Sequence, residues 1–145
     1  MQSQRTQERL ALSTYVKLMR AANSARSFAA RSLSGTNLTL TQFAVLEALY
    51  HLGPMPLSEI ARKVLTTAGN LTMVVGNLEK QGLARRQRSP EDKRVAIVVL
   101  TTTGKTLLRR VFPGHAAAIR EFLSILSPEE QERLGDLCRK LGKQE

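Results

Sequence analysis

Five cations fall within ten consecutive residues: Arg85, Arg86, Arg88, Lys93 and Arg94. Like charges packed this closely repel one another unless a counter-charge arrives, so the chemistry they suit is contact with a polyanion. Ahead of them lies a run of different character, from Thr67 through Gly69, Asn70, Thr72 and Met73 to Asn77, in which small and polar residues alternate with core-type ones. Asparagine amides match the donor and acceptor on the adenine edge in the major groove, and the methyl-bearing Thr72 and Met73 match the thymine methyl. Either Arg94 or Arg88 suits a narrow minor groove, where negative potential is strongest. Arg85, Arg86 and Lys93 suit phosphates, which position a protein without reading sequence. Asp92 is an acid inside the basic stretch, two residues before Arg94, where its carboxylate can hold that guanidinium in place.

Other chemistry finds little to rest on. No Ser/His/Asp order, phosphate-binding Gly-rich loop, dinucleotide fingerprint or His-Glu-x-x-His occurs, so the chain is read as a binding protein and not an enzyme, without a cofactor. His51 and His115 lack neighbours at ligand spacing, and no metal site is expected. The single Cys138 excludes an internal disulfide; it lies between Leu137 and Leu141 and reads as a small buried hydrophobe. The first residues lack an apolar signal and no run reaches the ~18–20 apolar residues of a membrane span, so the expected location is the cytoplasm.

The 145 residues carry 22 basic and 12 acidic side chains, a formal net charge of +10. That excess is unevenly placed: +5 over residues 1–34, −2 over 35–61, +8 over 62–110 and −1 over 111–145. A central basic block in a turn-rich stretch favours nucleic acid over a membrane surface, which would need a basic amphipathic helix with bulky apolar residues opposite. With aromatic residues at 4% and no Trp, a stacking platform for single strands is poorly provided for. Double-stranded DNA is the expected partner.

The elements that position these residues can be read in order. Apolar residues at spacings of three and four predict a helix over 8–33, broken by Ser34-Gly-Thr-Asn37. Thr39 and Gln42 form a capping box for a second helix that Gly53-Pro54 stops. A short third helix follows Pro56. Thr67 is the expected N-cap of a fourth, 68–81, whose inward face is Leu71, Val74, Val75 and Leu78, and whose C′ residue is Gly82. The glycines on its outer face weaken an isolated helix by ~1 kcal/mol each and suit close approach to another surface. Leu83–Arg88 and Val95–Leu100 read as a hairpin with a basic tip. A long helix over 103–126, bent near Pro113, and a last one after Ser127-Pro-Glu-Glu130 complete the chain. The fold class is mainly α with a small β-hairpin wing: a winged helix-turn-helix with about six helices.

Leu40-Thr-Gln-Phe-Ala-Val-Leu46, Leu78-Glu-Lys-Gln-Gly-Leu83, and above all Ser89-Pro-Glu-Asp-Lys-Arg94 followed by Val99-Leu-Thr-Thr-Thr-Gly-Lys105 resemble the MarR family of transcriptional regulators. The resemblance covers roughly residues 38–110. It implies a homodimer in which terminal helices interlock and two winged domains bind a pseudopalindromic operator, usually as a repressor. It also implies that Arg94 is the wing arginine and Asp92 its brace. Many members carry Ser/Thr-Pro-Ser/Thr at the start of the recognition helix and Arg or Lys along it. Thr67-Ala-Gly-Asn70 here departs from that pattern and implies base readout driven less by arginine. Leu38-Thr-Leu-Thr-Gln-Phe43, Gly69-Asn70 and Phe112-Pro-Gly-His115 are similar to members responding to quinones or catechols, which implies a small aromatic ligand.

One domain is expected, with 1–36 and 104–145 as dimerisation helices and 38–103 as the winged DNA-binding region. Terminal helices on so small a domain have limited core to cover, which favours burial against a second subunit. The rival reading of the same charge is a non-specific architectural DNA-binding protein, separable by its indifference to sequence at moderate salt. Ligand-binding residues are left unassigned.

Overall fold

The computed structural model of the chain describes residues 1–64, 66 and 68–143. Its element order is α1 (Gln2–Ser32), α2 (Leu40–Leu52), β1 (Met55–Pro56), α3 (Leu57–Val64), α4 (Ala68–Lys80), β2 (Ala84–Arg88), β3 (Ala96–Leu100), α5 (Thr102–Leu123) and α6 (Pro128–Gly142). Contacts divide the chain into two compact units, Leu33–Gly114 and Met1–Ser32 with His115–Glu145.

The unit Leu33–Gly114 is the winged helix. α2 begins with the predicted capping box: the Gln42 N–H donates to Thr39 Oγ1 at 3.1 Å and the Thr39 N–H to Gln42 Oε1 at 3.0 Å. Gly53, at φ 85°, closes it by donating to the Leu49 carbonyl. Phe43, Val45, Leu46, Ile60, Leu71, Val75, Leu78 and Val98 form the buried core, with Leu108 and Val111 of α5 beside them. At roughly 25 cal/mol per Å² of apolar surface, this burial is what holds the short helices, which are marginal alone. The sheet is antiparallel in the order β1-β3-β2, with Met55 opposite Val98 and Arg86 opposite Val98 from the other side. β1 is an addition to the sequence reading; a two-residue strand shows no alternation, and its Pro56 is tolerated because it lies at an edge.

α4 ends in a Schellman motif. The Leu83 N–H donates to the Leu78 carbonyl and the Gly82 N–H to that of Glu79, with Gly82 at φ 73°. Leu83 is therefore committed to the turn, and the strand expected from Leu83 starts at Ala84. Thr101 fastens this corner to α5: its N–H donates to the Leu83 carbonyl, and its hydroxyl donates to the Gly82 carbonyl while accepting from the Gly104 N–H. A Cβ on Gly104 would collide with the Leu83 carbonyl and the Leu100 side chain. The Leu-Thr-x-x-Gly signature is thus a joint between the end of α4 and the start of α5.

In the other unit, α1 starts at Gln2, six residues earlier than predicted. α5 stays helical through Pro113 and stops at Leu123, short of the predicted residue 126. The amide of Gln131 takes up the Leu123 and Leu126 carbonyls instead. α6 carries the predicted Ser127–Glu130 capping box. Phe28 packs on Phe122 with ring centroids 5.1 Å apart, and the Arg31 guanidinium sits over the Phe28 ring. The Ser32 hydroxyl donates to the Ala29 carbonyl and lies 3.2 Å from His115 Nδ1. Leu10, Leu12 and Tyr15 of α1 and Leu134, Leu137 and Leu141 of α6 are exposed. α6 buries no residue at all. Cys138, read from the sequence as buried, is exposed, as are its neighbours Leu134, Leu137 and Leu141 on the same helix. Among the described residues no helix is long and apolar enough to cross a membrane.

Candidate nucleic-acid interface

α3 and α4 form the helix–turn–helix. Ile60 of α3 and Leu71, Val74, Val75 and Leu78 of α4 are buried, which fixes the rotation of α4 and turns Gly69, Asn70, Thr72, Met73 and Asn77 outward. Thr67, expected as the N-cap and as a contact, lies outside the described residues. The amide of Asn70 donates to Thr66 Oγ1 at 2.8 Å, which ties the first turn of α4 to the turn before it. Met73 is 62% exposed. From Gly69 to Asn77 this helix has no charged residue, and its first ones are Glu79 and Lys80.

The hairpin carries the positive charge, but its five cations are not equivalent. Strand alternation divides β2: Ala84, Arg86 and Arg88 share the face of buried Val98 and Leu100, whereas Arg85 shares the opposite face with Val99. Arg86 reaches α4, where its Nε donates to Glu79 Oε1 at 2.7 Å. The Arg86 N–H also donates to Glu79 Oε2 at 3.4 Å. This pair joins α4 to the wing and leaves the Arg86 guanidinium partly committed to Glu79. Arg88 donates from Nη1 to the Lys93 carbonyl at 2.8 Å, bridging the base of the wing loop.

The loop itself is built on Ser89. Its hydroxyl accepts from the backbone N–H groups of Glu91 and Asp92, while its own N–H donates to the Val95 carbonyl. Asp92 Oδ1 then accepts from the Arg94 N–H at 3.0 Å and from Arg94 Nε at 3.2 Å, and Oδ2 accepts from Nη2 at 3.4 Å. The backbone N–H of Arg94 first, and its guanidinium second, hold the Asp92 carboxyl below its ordinary value. The Arg94 side chain nevertheless remains 91% exposed. It is a charged tip held in one direction by an acid at its base.

Of the residues singled out in the sequence, Arg94, Lys93 and Asp92 come together at the wing tip, and Asn70, Met73 and Asn77 lie along one face of α4. Arg86 and Arg88 are drawn into intramolecular bonds, and Arg85 stands on the far face of the sheet. Sequence reasoning missed Glu79, whose pairing with Arg86 spans seven positions and follows no helical spacing. It also missed Ser89, hidden in a turn-forming string. Arg109 was missed as well; its Nε donates to the Tyr50 hydroxyl at 3.1 Å, and that bond raises its pKa above the ordinary value. His51 packs edge-on between Tyr50 and Phe112.

A family model described as MarR family matches residues 38–96. Over 131 residues the chain is 40% identical to the HTH-type transcriptional regulator MhqR of Bacillus subtilis (strain 168), with 90% of each protein covered. A MarR family transcriptional regulator from Streptomyces coelicolor, solved in complex with DNA, is 30% identical with a TM-score of 0.83, covering 95% of this chain and 87% of that one. The PcaV transcriptional regulator of the same organism, solved with its natural ligand, is 27% identical with a TM-score of 0.78, covering 88% and 90%.

Proposed function

The chain belongs to the MarR family of transcriptional regulators, and on that premise we propose that it is a cytoplasmic homodimeric repressor that binds a pseudopalindromic operator and catalyses no reaction. The observation that carries this reading is the pairing of an uncharged, outward α4 face with an exposed Arg94 that Asp92 holds in place. The first suits base edges in the major groove, and the second suits the minor groove beside it. Arg85, Lys93 and the flanking cations supply the sequence-independent attraction. Residues 38–103 act as the DNA-binding region, and 1–36 with 104–145 as the dimerisation helices. The exposed apolar stripes of α1 and α6 support that division. A dimer reading successive major grooves holds its two recognition helices about 34–36 Å apart.

Ligand control follows as a population shift: a molecule that binds one spacing of the recognition helices better depletes the other. The relative solved with its natural ligand supports such control, and the resemblance of residues 38–43, 69–70 and 112–115 to quinone- and catechol-responsive members supports an aromatic one. The reading is tested with Arg94→Ala. Operator affinity falls strongly while the dimer mass is unchanged; wild-type affinity in that variant removes the wing from the interface.

A further inference from the structure

Three rows of observation converge on Met73. First, its row along α4 is Asn70, Met73 and Asn77, at i, i+3 and i+7, and none of these can make the forked arginine contact to guanine. Second, Met73 is a large apolar side chain 62% exposed on the face opposite the core, so the fold itself gains nothing from it there. Third, Gly69 and Gly76 lie four residues before and three residues after Met73, on the same face. A Cβ built on either glycine meets nothing within 4 Å, and neither has a positive φ. Intramolecular packing and backbone geometry therefore require neither glycine, although each weakens the helix relative to Ala. Met73 stands as a single apolar knob with bare backbone one turn to either side.

The apolar group that a base pair displays in the major groove is the thymine C5-methyl. We propose that Met73 is the specificity-determining residue of this protein, seating on a thymine methyl, and that Gly69 and Gly76 are bare so that α4 lies deep enough for it to reach. The inference rests on the DNA-binding reading above and names the base that the recognition helix selects. The row from Asn70 to Asn77 rises about 10 Å at 1.5 Å per residue, which spans about three base pairs. Each half-site core thus contains a thymine facing Met73, with Asn77 one turn further on placed for an adenine edge.

The test starts from a duplex selected by the wild-type protein out of a randomised pool. Each thymine of the half-site is then replaced by deoxyuridine, which removes the methyl and keeps every hydrogen-bonding group. At one position per half-site the wild type loses about fourfold in affinity, the worth of one buried methyl. Met73→Ala binds the thymine and uracil duplexes equally. Gly76→Ala and Gly69→Ala separate the interface role from a structural one, since the two make opposite predictions. Both variants melt higher than the wild type, because Ala favours the helix, and both bind the selected duplex at least tenfold more weakly. Selective binding that is insensitive to uracil at every position overturns this inference and leaves the DNA-binding reading intact. Unchanged affinity in both glycine variants overturns it as well. Failure of the wild type to select any duplex overturns the DNA-binding reading and this inference with it.

Discussion

Replacing Asp92 by Ala sets two effects of opposite sign against each other. Removing an acid from a basic wing strengthens its attraction to phosphate. For a unit charge about 8 Å from a phosphate in water, screened over a similar length at physiological salt, the gain is about 1.4-fold in affinity per wing. Removing the brace works the other way. Asp92 accepts from the Arg94 N–H at 3.0 Å and from Nε at 3.2 Å, and these bonds give direction to a side chain that is otherwise 91% exposed. Without them, ordering Arg94 on binding costs about 0.5–1.5 kcal/mol per wing. That is roughly 2- to 13-fold, and for two wings on one operator roughly 5- to 150-fold. The brace outweighs the charge, so Asp92→Ala binds more weakly. The assay is fluorescence anisotropy on the operator duplex at two salt concentrations, repeated in an Arg94→Ala background. In that background Asp92→Ala has no brace to lose, and its effect vanishes or reverses slightly. Equal or tighter binding by the single variant at both salts refutes the bracing role and reduces the wing to a point charge.

Three further outcomes follow from the same geometry. The Asp92 carboxyl is depressed below 3.8, so its bonds to Arg94 are at full strength above that pH and are lost as pH falls through the depressed value. Carboxyl NMR should report a midpoint below 3.8 that stays depressed in Arg94→Ala, because the backbone N–H is the larger cause; a fully ordinary value in that variant contradicts the ranking. Gly104→Ala forces a methyl into the Leu83 carbonyl, which α4 and Thr101 hold in place. Overpacking of about 1–3 kcal/mol should lower the melting temperature by several degrees, whereas an unchanged melt means that the joint is slack. Leu137→Asp places a charge on the exposed stripe of α6 and should halve the mass measured by light scattering; an unaltered dimer mass moves the dimer interface elsewhere.

Local signals in the sequence proved readable because their physics is local. The Thr39–Gln42 and Ser127–Glu130 boxes, the Gly53 and Gly82 stops, and the Leu71-Val74-Val75-Leu78 face each act within one or two turns, and the structure has them where the sequence puts them. What stayed hidden depends on partners distant in the chain. β1 exists only because Met55 and Pro56 meet Ile97 and Val98. The five cations look uniform in the sequence, yet Glu79 claims Arg86 and the Lys93 carbonyl claims Arg88. The facing of Arg85 was accessible in principle from the period of two along β2, and treating the cluster as one patch concealed it. Gly104 was legible as part of a motif, but its reason required knowing that the Leu83 carbonyl lies against it.

Operator-selective DNA binding by a dimer is decided by fluorescence anisotropy. The purified protein is titrated onto duplex DNA from upstream of its own gene and onto a scrambled duplex of equal composition, across a salt series. An operator-selective dimer binds the first duplex tightly, one dimer per site, with a preference that persists as salt rises and the non-specific component falls away. Equal and steeply salt-dependent binding to both duplexes contradicts it and leaves the charge of the wing with only an architectural use.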